Sequence, residues 1–140
     1  MPLLFRPRPG TLLMCDFDTG FKPPEMTKKR PVVVISPRRR RSMSKLCTVV
    51  PLSTAVPNRV EPFHHRMDPR SVPAELGAHE SWAKCDMLYT VSLERLDRVP
   101  VNRAGRRVFV APQVLHEDLD AIRQGVMNAL GLDSRPHPEA

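Results

Sequence analysis

Proline places the strongest limit on how this chain can fold. Sixteen of its 140 residues are proline, and each one fixes the backbone angle φ and removes an amide donor. Prolines at this density argue against a helical bundle, because a proline inside a helix breaks it. They favour strands joined by loops, in a chain whose length allows one ordinary domain with one core.

The apolar content limits the protein class further. Apolar residues make up 41% of the chain, close to the globular norm, so the chain is not a disordered polybasic protein. No apolar run approaches the roughly 18 to 20 residues that a bilayer span requires. The first residues are too few and too interrupted by proline for a signal peptide. We therefore expect neither a membrane protein nor a coiled coil nor a secreted disulfide scaffold, and we expect a cytoplasmic location.

Strand patterns dominate the first two thirds of the chain. The clearest is Pro-Val-Val-Val-Ile-Ser at residues 31–36, whose continuous β-branched run predicts a strand buried on both faces. Residues 11–17, 46–52 and 81–89 also have strand character. Shorter candidates lie around residues 60–63 and 65–67, and residues 103–107 predict a turn.

Near the C-terminus the apolar period becomes helical. Apolar residues recur on one side of residues 112–130, and acidic residues that include Asp118 fall on the other side. Pro112 suits a first helical turn, and Gly131 suits the position after the last turn. The chain is therefore predicted to be mainly β with a C-terminal helix, in the form of a small, partly open β-barrel.

The predicted domain division follows from the same patterns. Residues 1–9 alternate proline and arginine and predict a flexible N-terminal arm. Residues 10–132 form a single barrel domain, with the helix at about 112–130. Residues 133–140 are predicted to be a flexible tail.

The cysteines and histidines do not form a metal-binding motif. Cys15, Cys47 and Cys85 are odd in number and widely spaced inside apolar stretches, which predicts small buried hydrophobes in a reducing compartment. His64 and His65 are adjacent, so on a strand they would face opposite sides, which argues against a shared metal ion. We expect no metal site.

Positive charge is concentrated in one segment. Lys and Arg number 22 against 15 Asp and Glu, a net charge of +7, and residues 26–45 hold eight cations and no acidic residue. Such a segment favours a polyanion partner, with nucleic acid first. The less favoured alternative for the run at 38–41 is a solvated surface loop. The eight cations are Lys28, Lys29, Arg30, Arg38, Arg39, Arg40, Arg41 and Lys45.

Three places combine groups that could act on a phosphodiester. Arg30 stands at the entry to the buried strand, and Ser53 and Thr54 follow the third strand directly. Lys84 and Asp86 are two residues apart, so on a strand they would share a face. A carboxylate could accept the 2′-hydroxyl proton of RNA, a cation could stabilise the phosphorane, and hydroxyls could hold the phosphate. The alternative for Lys84 and Asp86 is an ion pair on one face of a strand, without a catalytic role.

The same residues belong to four blocks that resemble the PemK/MazF family of toxin endoribonucleases. The blocks are residues 10–18, 30–37, 50–54 and 84–86, with Glu25 five residues before Arg30. They occur in the family's order and spacing between residue 10 and about residue 98. Their order makes the resemblance specific, whereas any single block is short.

This resemblance implies a fold, an activity and partners. The fold would be an SH3-like β-barrel that forms a homodimer. The activity would be sequence-specific cleavage of single-stranded RNA, including mRNA, by 2′-hydroxyl attack on the scissile phosphate, without a metal or any other cofactor. The partners would be a cognate antitoxin with an acidic tail that covers the RNA groove, and operator DNA only in complex with that antitoxin.

The resemblance also implies roles by position. Arg30 would act as an acid or a phosphate binder, Ser53 and Thr54 would contact the scissile phosphate, and Asp86 would be the general base. Lys84 stands where relatives have arginine, which keeps the charge and loses the planar fork. Glu25 matches an acidic loop residue, and with the lysines and arginines of residues 26–45 it would contact RNA.

Two other functions are compatible with the sequence. Thr11 and Met14 stand where the family has aspartate and tryptophan, which is compatible with an RNA- or DNA-binding barrel that has lost catalysis. A related toxin family with the same barrel poisons DNA gyrase through a C-terminal end that contains tryptophan. This chain has its one tryptophan at Trp82, which makes that function the less favoured one.

Overall fold

A computed structural model describes Leu3 and residues 5–38, 44–76 and 80–133. This part of the chain contains nine strands, three short 3-10 turns and one α-helix. The strands are β1 (Leu12–Asp16), β2 (Lys29–Val34), β3 (Leu46–Ser53), β4 (His64–Arg66), β5 (Trp82–Lys84), β6 (Tyr89–Ser92), β7 (Leu96–Asp97), β8 (Val99–Arg103) and β9 (Arg106–Val110). The helix α1 is His116–Ala129, and the 3-10 turns are Pro69–Ser71, Ala74–Leu76 and Leu93–Arg95.

Strands β1, β2 and β3 form an antiparallel centre with a core on each face. Val33 pairs with Leu12 on one side and Val50 on the other, and these three side chains belong to the core that α1 covers. Val32 and Val34 point the opposite way, into the second core. All three valines of β2 are fully buried, so the prediction of a strand buried on both faces is confirmed.

Strand β3 changes partners along its length. One edge pairs with β2, while the other pairs with β6 through residues 46–49 and with β5 through Leu52 and Ser53. The resulting order is β4-β5-β3-β2-β1-β7, with β6 also on β3. Within the described residues the end strands β4 and β7 do not pair, so the sheet does not close. The predicted fold, mainly β with a C-terminal helix and a partly open barrel, is confirmed.

Strands β8 and β9 form a separate hairpin. Their tip is the two-residue turn Ala104-Gly105, and both residues have positive φ, 52° and 77°. Two positive φ angles are typical of the tight turn whose twist matches that of paired strands. The turn at residues 103–107 was predicted, but β9 after it was not.

The helix α1 begins later than its sequence period suggests. Pro112 was placed in the first turn, but its carbonyl accepts the Leu12 N–H at 2.8 Å and Val114 N–H donates to Gly10 at 2.9 Å. Residues 112–114 are therefore used in sheet-like pairing, and the helix starts at His116. Its end was predicted correctly: Gly131 has φ +70°, and Leu132 N–H reaches back to the Met127 carbonyl at 2.7 Å.

Asp118 was predicted on the outer side of the helix, and this was wrong. It is 3% exposed, and it accepts hydrogen bonds from His65 Nε2 at 2.7 Å, from the Asp68 N–H at 3.2 Å and from the Ser71 hydroxyl. Ser71 in turn accepts the Leu115 N–H at 2.9 Å. This network ties the start of α1 to residues 65–71.

Two strand assignments also need correction. The segment 81–89 is divided into β5 and β6 by a turn at residues 85–87, and residues 60–63 lie in a loop. The candidate at 65–67 corresponds to β4 (His64–Arg66). The three cysteines are buried and free, as predicted.

The N-terminal segment packs against the domain in its described part. Leu3 is 8% exposed and joins the second core, and the Arg6 guanidinium donates to the Leu46 carbonyl at 3.1 Å. Phe5 lies under the Arg98 guanidinium, 5.1 Å from ring centroid to Cζ. These contacts differ from the predicted loose arm. The predicted tail lies outside the described residues from residue 134 onward.

Among the described residues, no helix has both the length and the apolar composition that a membrane span requires.

Candidate active site

An open cleft lies where β2 begins and β3 ends, which we call the strand-end cleft. Its volume is about 240 Å³. Antiparallel pairing places the start of β2 beside the end of β3, so residues from both meet here. The lining residues are Met14, Lys29, Arg30, Pro31, Leu52, Ser53, Thr54, Glu75, Leu76 and Ser81.

Arg30 is the guanidinium of this cleft. It is half-buried on β2, where its backbone pairs with Cys15. Its Nε–H donates to the Thr27 carbonyl at 3.1 Å, which fixes the base of the guanidinium. The following Pro31 restricts Arg30 to an extended backbone, which suits its place at the start of a strand.

Ser53 and Thr54 supply hydroxyls on the other side of the cleft. Ser53 is the last residue of β3 and pairs with Trp82. Its Oγ accepts the Ala55 N–H at 3.1 Å, so the oxygen is held in a local turn while its O–H is still able to donate. Thr54 follows in that turn and is exposed. The sequence predicts that Arg30, Ser53 and Thr54 lie at strand ends, and the structure agrees. It also shows that all three line one cleft.

Glu75 is a carboxylate of the cleft that no sequence pattern indicates. It lies in the 3-10 turn Ala74–Leu76, and its Oε2 accepts the Asn102 N–H at 2.7 Å. That hydrogen bond, helped by the nearby positive charge of Arg103, lowers the pKa of Glu75 from its usual value. Its neighbourhood in the sequence has no period, so only the three-dimensional packing reveals it.

Lys84 and Asp86 do not line the strand-end cleft. Lys84 ends β5 opposite His64, whereas Asp86 is exposed in the following turn, closed by a 2.9 Å hydrogen bond from Met87 N–H to the Lys84 carbonyl. The prediction that the two share one strand face is wrong, because the strand ends at Lys84. Among the described residues no ion pair joins them, so the alternative of a same-face pair also fails.

Sequence and structure comparisons place this chain among known proteins. Residues 8–128 match the family described as PemK-like, MazF-like toxin of type II toxin-antitoxin system. The chain belongs to the PemK/MazF toxin family. The prediction made from the four sequence blocks is therefore confirmed. No curated protein matches the sequence.

Solved structures share the PemK/MazF fold of this chain. An endoribonuclease in complex with its cognate antitoxin, from a mycobacterial species, is 20% identical, covers 95% of this chain and 100% of its own, and has a TM-score of 0.61. MazF from Deinococcus radiodurans is 21% identical, and the match covers 91% of this chain and 98% of that protein with a TM-score of 0.62. The Mycobacterium tuberculosis toxin MazF-mt6 is 22% identical, with 90% and 99% covered and a TM-score of 0.58. At these identities the likeness establishes the fold.

The other charged residues proposed to bind RNA are spread around the PemK/MazF fold. Lys29 lines the strand-end cleft, while Lys28 and Lys45 are exposed outside it. The Arg38 Nε–H donates to the Arg6 carbonyl at 3.1 Å. Glu25 closes its own loop by accepting the Lys22 N–H at 2.8 Å. Arg39, Arg40 and Arg41 lie outside the described residues.

The loop that carries Glu25 and Lys28 is anchored by aromatic rings. Phe17, Phe21 and Tyr89 form a cluster with ring centroids 5.1 to 5.4 Å apart. The Tyr89 hydroxyl accepts the Met26 N–H at 2.8 Å. These contacts fix the loop beside the start of β2, and therefore beside Arg30.

A second cleft, of about 310 Å³, adjoins the first. Both clefts are lined by Met14, Lys29 and Leu76. The second one continues toward the β8–β9 hairpin, which supplies Arg107 and Phe109. We call this region the hairpin cleft. Its other lining residues are Cys15, Asp16, Glu94, Arg95, Asp97, Arg98 and Pro100.

No group of three or more His, Cys, Asp or Glu side chains in the described ranges is arranged to hold a metal ion. The chemistry available in the strand-end cleft is that of a guanidinium, an ammonium, hydroxyls and one carboxylate.

Proposed function

We propose that this chain is an endoribonuclease toxin that cleaves single-stranded RNA in the strand-end cleft. The observation that carries the proposal is the convergence of Arg30, Ser53 and Thr54 in one open cleft. Membership of the toxin family and the likeness to solved structures named as endoribonucleases support it.

The proposed reaction is transesterification within the RNA strand. The 2′-oxygen bonds to the adjacent phosphorus, the bond from phosphorus to the 5′-oxygen breaks, and a 2′,3′-cyclic phosphate results. A carboxylate accepts the 2′-hydroxyl proton, and the departing 5′-oxygen gains a proton. The negative charge that develops on the phosphorane oxygens is stabilised by Arg30, and the hydroxyls of Ser53 and Thr54 hold those oxygens.

We further propose that Glu75, rather than Asp86, accepts the proton. Glu75 is the one carboxylate among the described residues that line the cleft, and Asp86 does not line it. Lys29 lines the same cleft, and its ammonium suits proton donation to the 5′-oxygen. Asp86 and Lys84 as catalytic groups stay predictions from the family resemblance.

Incubation of the purified chain with a long single-stranded RNA in EDTA tests the activity, with cut sites mapped by primer extension. Arg30→Ala and Ser53→Ala should each slow cleavage by about a hundredfold, as the loss of one charge-stabilising donor does in other enzymes. Arg123→Gln, an exposed change on α1, serves as the matched control and should cleave normally. Intact RNA would contradict the proposal, as would cleavage by the Arg30 and Ser53 variants at the rate of the original chain.

A second pair of variants tests which carboxylate is the general base. Glu75→Gln should slow cleavage by about a hundredfold or more, because it removes the proton acceptor, while Asp86→Asn should leave the rate nearly unchanged. The reverse result would return the role to Asp86. RNA binding that weakens steeply with salt, without any cleavage, would instead favour a barrel that binds nucleic acid only.

We propose the remaining partners on the family's pattern. These are a homodimer, a cognate antitoxin with an acidic segment, and operator DNA bound only together with that antitoxin. One of the similar structures is described as an endoribonuclease in complex with its cognate antitoxin, and two are described as MazE-MazF. The excess of arginine suits an acidic partner. A cytoplasmic location agrees with three buried, free cysteines.

A further inference from the structure

The β8–β9 hairpin presents an aromatic ring to the hairpin cleft. Its inward side chains, including Val99 and Val101, are buried in the core that α1 covers. Alternation along the strands directs Phe109 and Arg107 to the opposite face. Phe109 is 56% exposed, and the Arg107 guanidinium lies over its ring at 5.5 Å from Cζ to the centroid.

The charges around this ring suit a polyanion. Residues 98–115 contain four arginines and no acidic residue. Two of these arginines, Arg103 and Arg106, flank the hairpin turn and are exposed. Arg98 and Arg107 line the cleft together with Phe109, and an exposed aromatic ring beside arginines can stack a base while the phosphates of the strand contact cations.

The acidic residues of the hairpin cleft limit which part of an RNA strand can bind there. Asp16, Glu94 and Asp97 line the cleft, and carboxylates repel phosphate while they accept hydrogen bonds from base amino groups. The carboxylates of the cleft therefore suit a base, and its cations suit the backbone. Since Met14, Lys29 and Leu76 line both clefts, a single strand can pass from one to the other.

We propose that the hairpin cleft binds an unpaired RNA base that flanks the cleavage point, with the base stacked on Phe109 and the adjacent phosphate on Arg107. This inference rests on the proposed function and adds the subsite beside the cutting cleft.

Binding and cleavage are measured separately to test it. The binding probe is a fluorescein-labelled, fully 2′-O-methylated RNA of mixed sequence, which lacks the attacking hydroxyl, and affinity is read by anisotropy. Phe109→Leu should weaken binding about tenfold, whereas Phe109→Tyr, which keeps the ring, should bind within about twofold of the original chain. Arg107→Gln should lower the slope of log affinity against log salt by about 0.7, the value for one phosphate contact on a single strand.

Arg123→Gln is the charge-matched control, and thermal unfolding verifies that each variant is folded. Equal binding by Phe109→Leu and the original chain would overturn the inference, as would equal losses for Phe109→Leu and Phe109→Tyr. If Phe109→Leu changes the oligomeric mass in light scattering without a change in RNA affinity, the face is a contact between copies of the chain. That result would also overturn the inference.

The two proposals can fail separately. If the chain binds the methylated probe through Phe109 but cuts no RNA, the proposed activity fails, and the hairpin cleft is a base-binding site without a cleavage point beside it. If the chain cuts RNA in EDTA but its affinity is independent of the ring, the subsite fails alone. If it binds no RNA, both are wrong.

Discussion

The cysteines are the residues whose environment follows most directly from the local sequence. Each lies in an apolar run, and each is at most 3% exposed. Burial raises the pKa of Cys15 and Cys85 to about 12 and also raises that of Cys47. A neutral thiol in an apolar core is the form that this environment favours.

We predict that none of the three thiols reacts rapidly in the native protein at pH 8. Titration with Ellman's reagent should show no fast phase before denaturant is added and three reactive thiols afterwards. The pKa of Cys15 and Cys85 is 9.0 in the unfolded chain and about 12 in the native one, so these two thiols lower the stability as pH rises between those values. A thiol that reacts rapidly in the native protein would contradict the prediction that all three cysteines are protected by burial.

Asp118 shows what residue-level reasoning could not reach. Its partners His65, Asp68 and Ser71 lie 47 to 53 positions away in sequence. The helical period predicts that Asp118 is exposed, because burial of an unpaired charge costs free energy. Only the chain's return through residues 65–71 supplies the donors that make burial acceptable.

At the scale of elements, α1 depends on this distant segment for its first turn. Its N-cap residue, Leu115, offers no side-chain hydrogen bond to the helix. The Ser71 hydroxyl instead receives the Leu115 N–H and donates to Asp118. The start of the helix is thus defined by docking rather than by a local cap.

We predict that Asp118→Ala lowers the free energy of unfolding by about 2 to 4 kcal/mol, because buried donors lose their acceptor. Asp120→Ala is the matched control: Asp120 pairs with His116 at 3.2 Å on the exposed side of the same helix, and its loss should cost less than about 1 kcal/mol. Urea unfolding measures both. Equal effects would show that the Asp118 network does not stabilise the helix.

A second contact fixes how closely α1 approaches β5. A Cβ at Gly125 would lie 2.7 Å from the Cys85 sulfur and 3.3 Å from the Phe63 carbonyl oxygen. We predict that Gly125→Ala destabilises the fold by about 1 to 3 kcal/mol through overpacking, despite alanine's better helix propensity.

The same experiment has an internal control. Adding Cys85→Ala removes the sulfur, so the double variant should be less destabilised than the sum of the two single changes. The neighbouring exposed change Gln124→Ala should have little effect on the urea midpoint. Strict additivity of the two core changes would mean that the Cys85–Gly125 contact does not limit the packing.

At the scale of the whole molecule, the fold was largely predictable and the site only in part. The valine run of β2, the apolar runs of β1 and β3 and the Gly131 stop are local signals, and the structure agrees with them. The helix start was set by long-range pairing, since Pro112 and Val114 hydrogen-bond to residues 12 and 10. The missed β9 pairs locally with β8 across a two-residue turn.

The candidate site divides in the same way. Arg30, Ser53 and Thr54 lie at the ends of adjacent strands, so the strand pattern alone brings them together. Glu75 has no sequence signal because a 3-10 turn from a proline-rich region delivers it. Asp86 was placed on a strand face that ends two residues earlier. Their catalytic roles are predictions that the variants above test.

The β8–β9 hairpin has a consequence for how such a protein can diversify. Its inward valines hold it to the core, while Arg107 and Phe109 project from the other face and carry little of the packing. Substitutions on that outer face can therefore accumulate at small cost in stability. If the hairpin reads a base beside the cut, a lineage can acquire new target preferences by changing a few exposed side chains and leaving its fold intact.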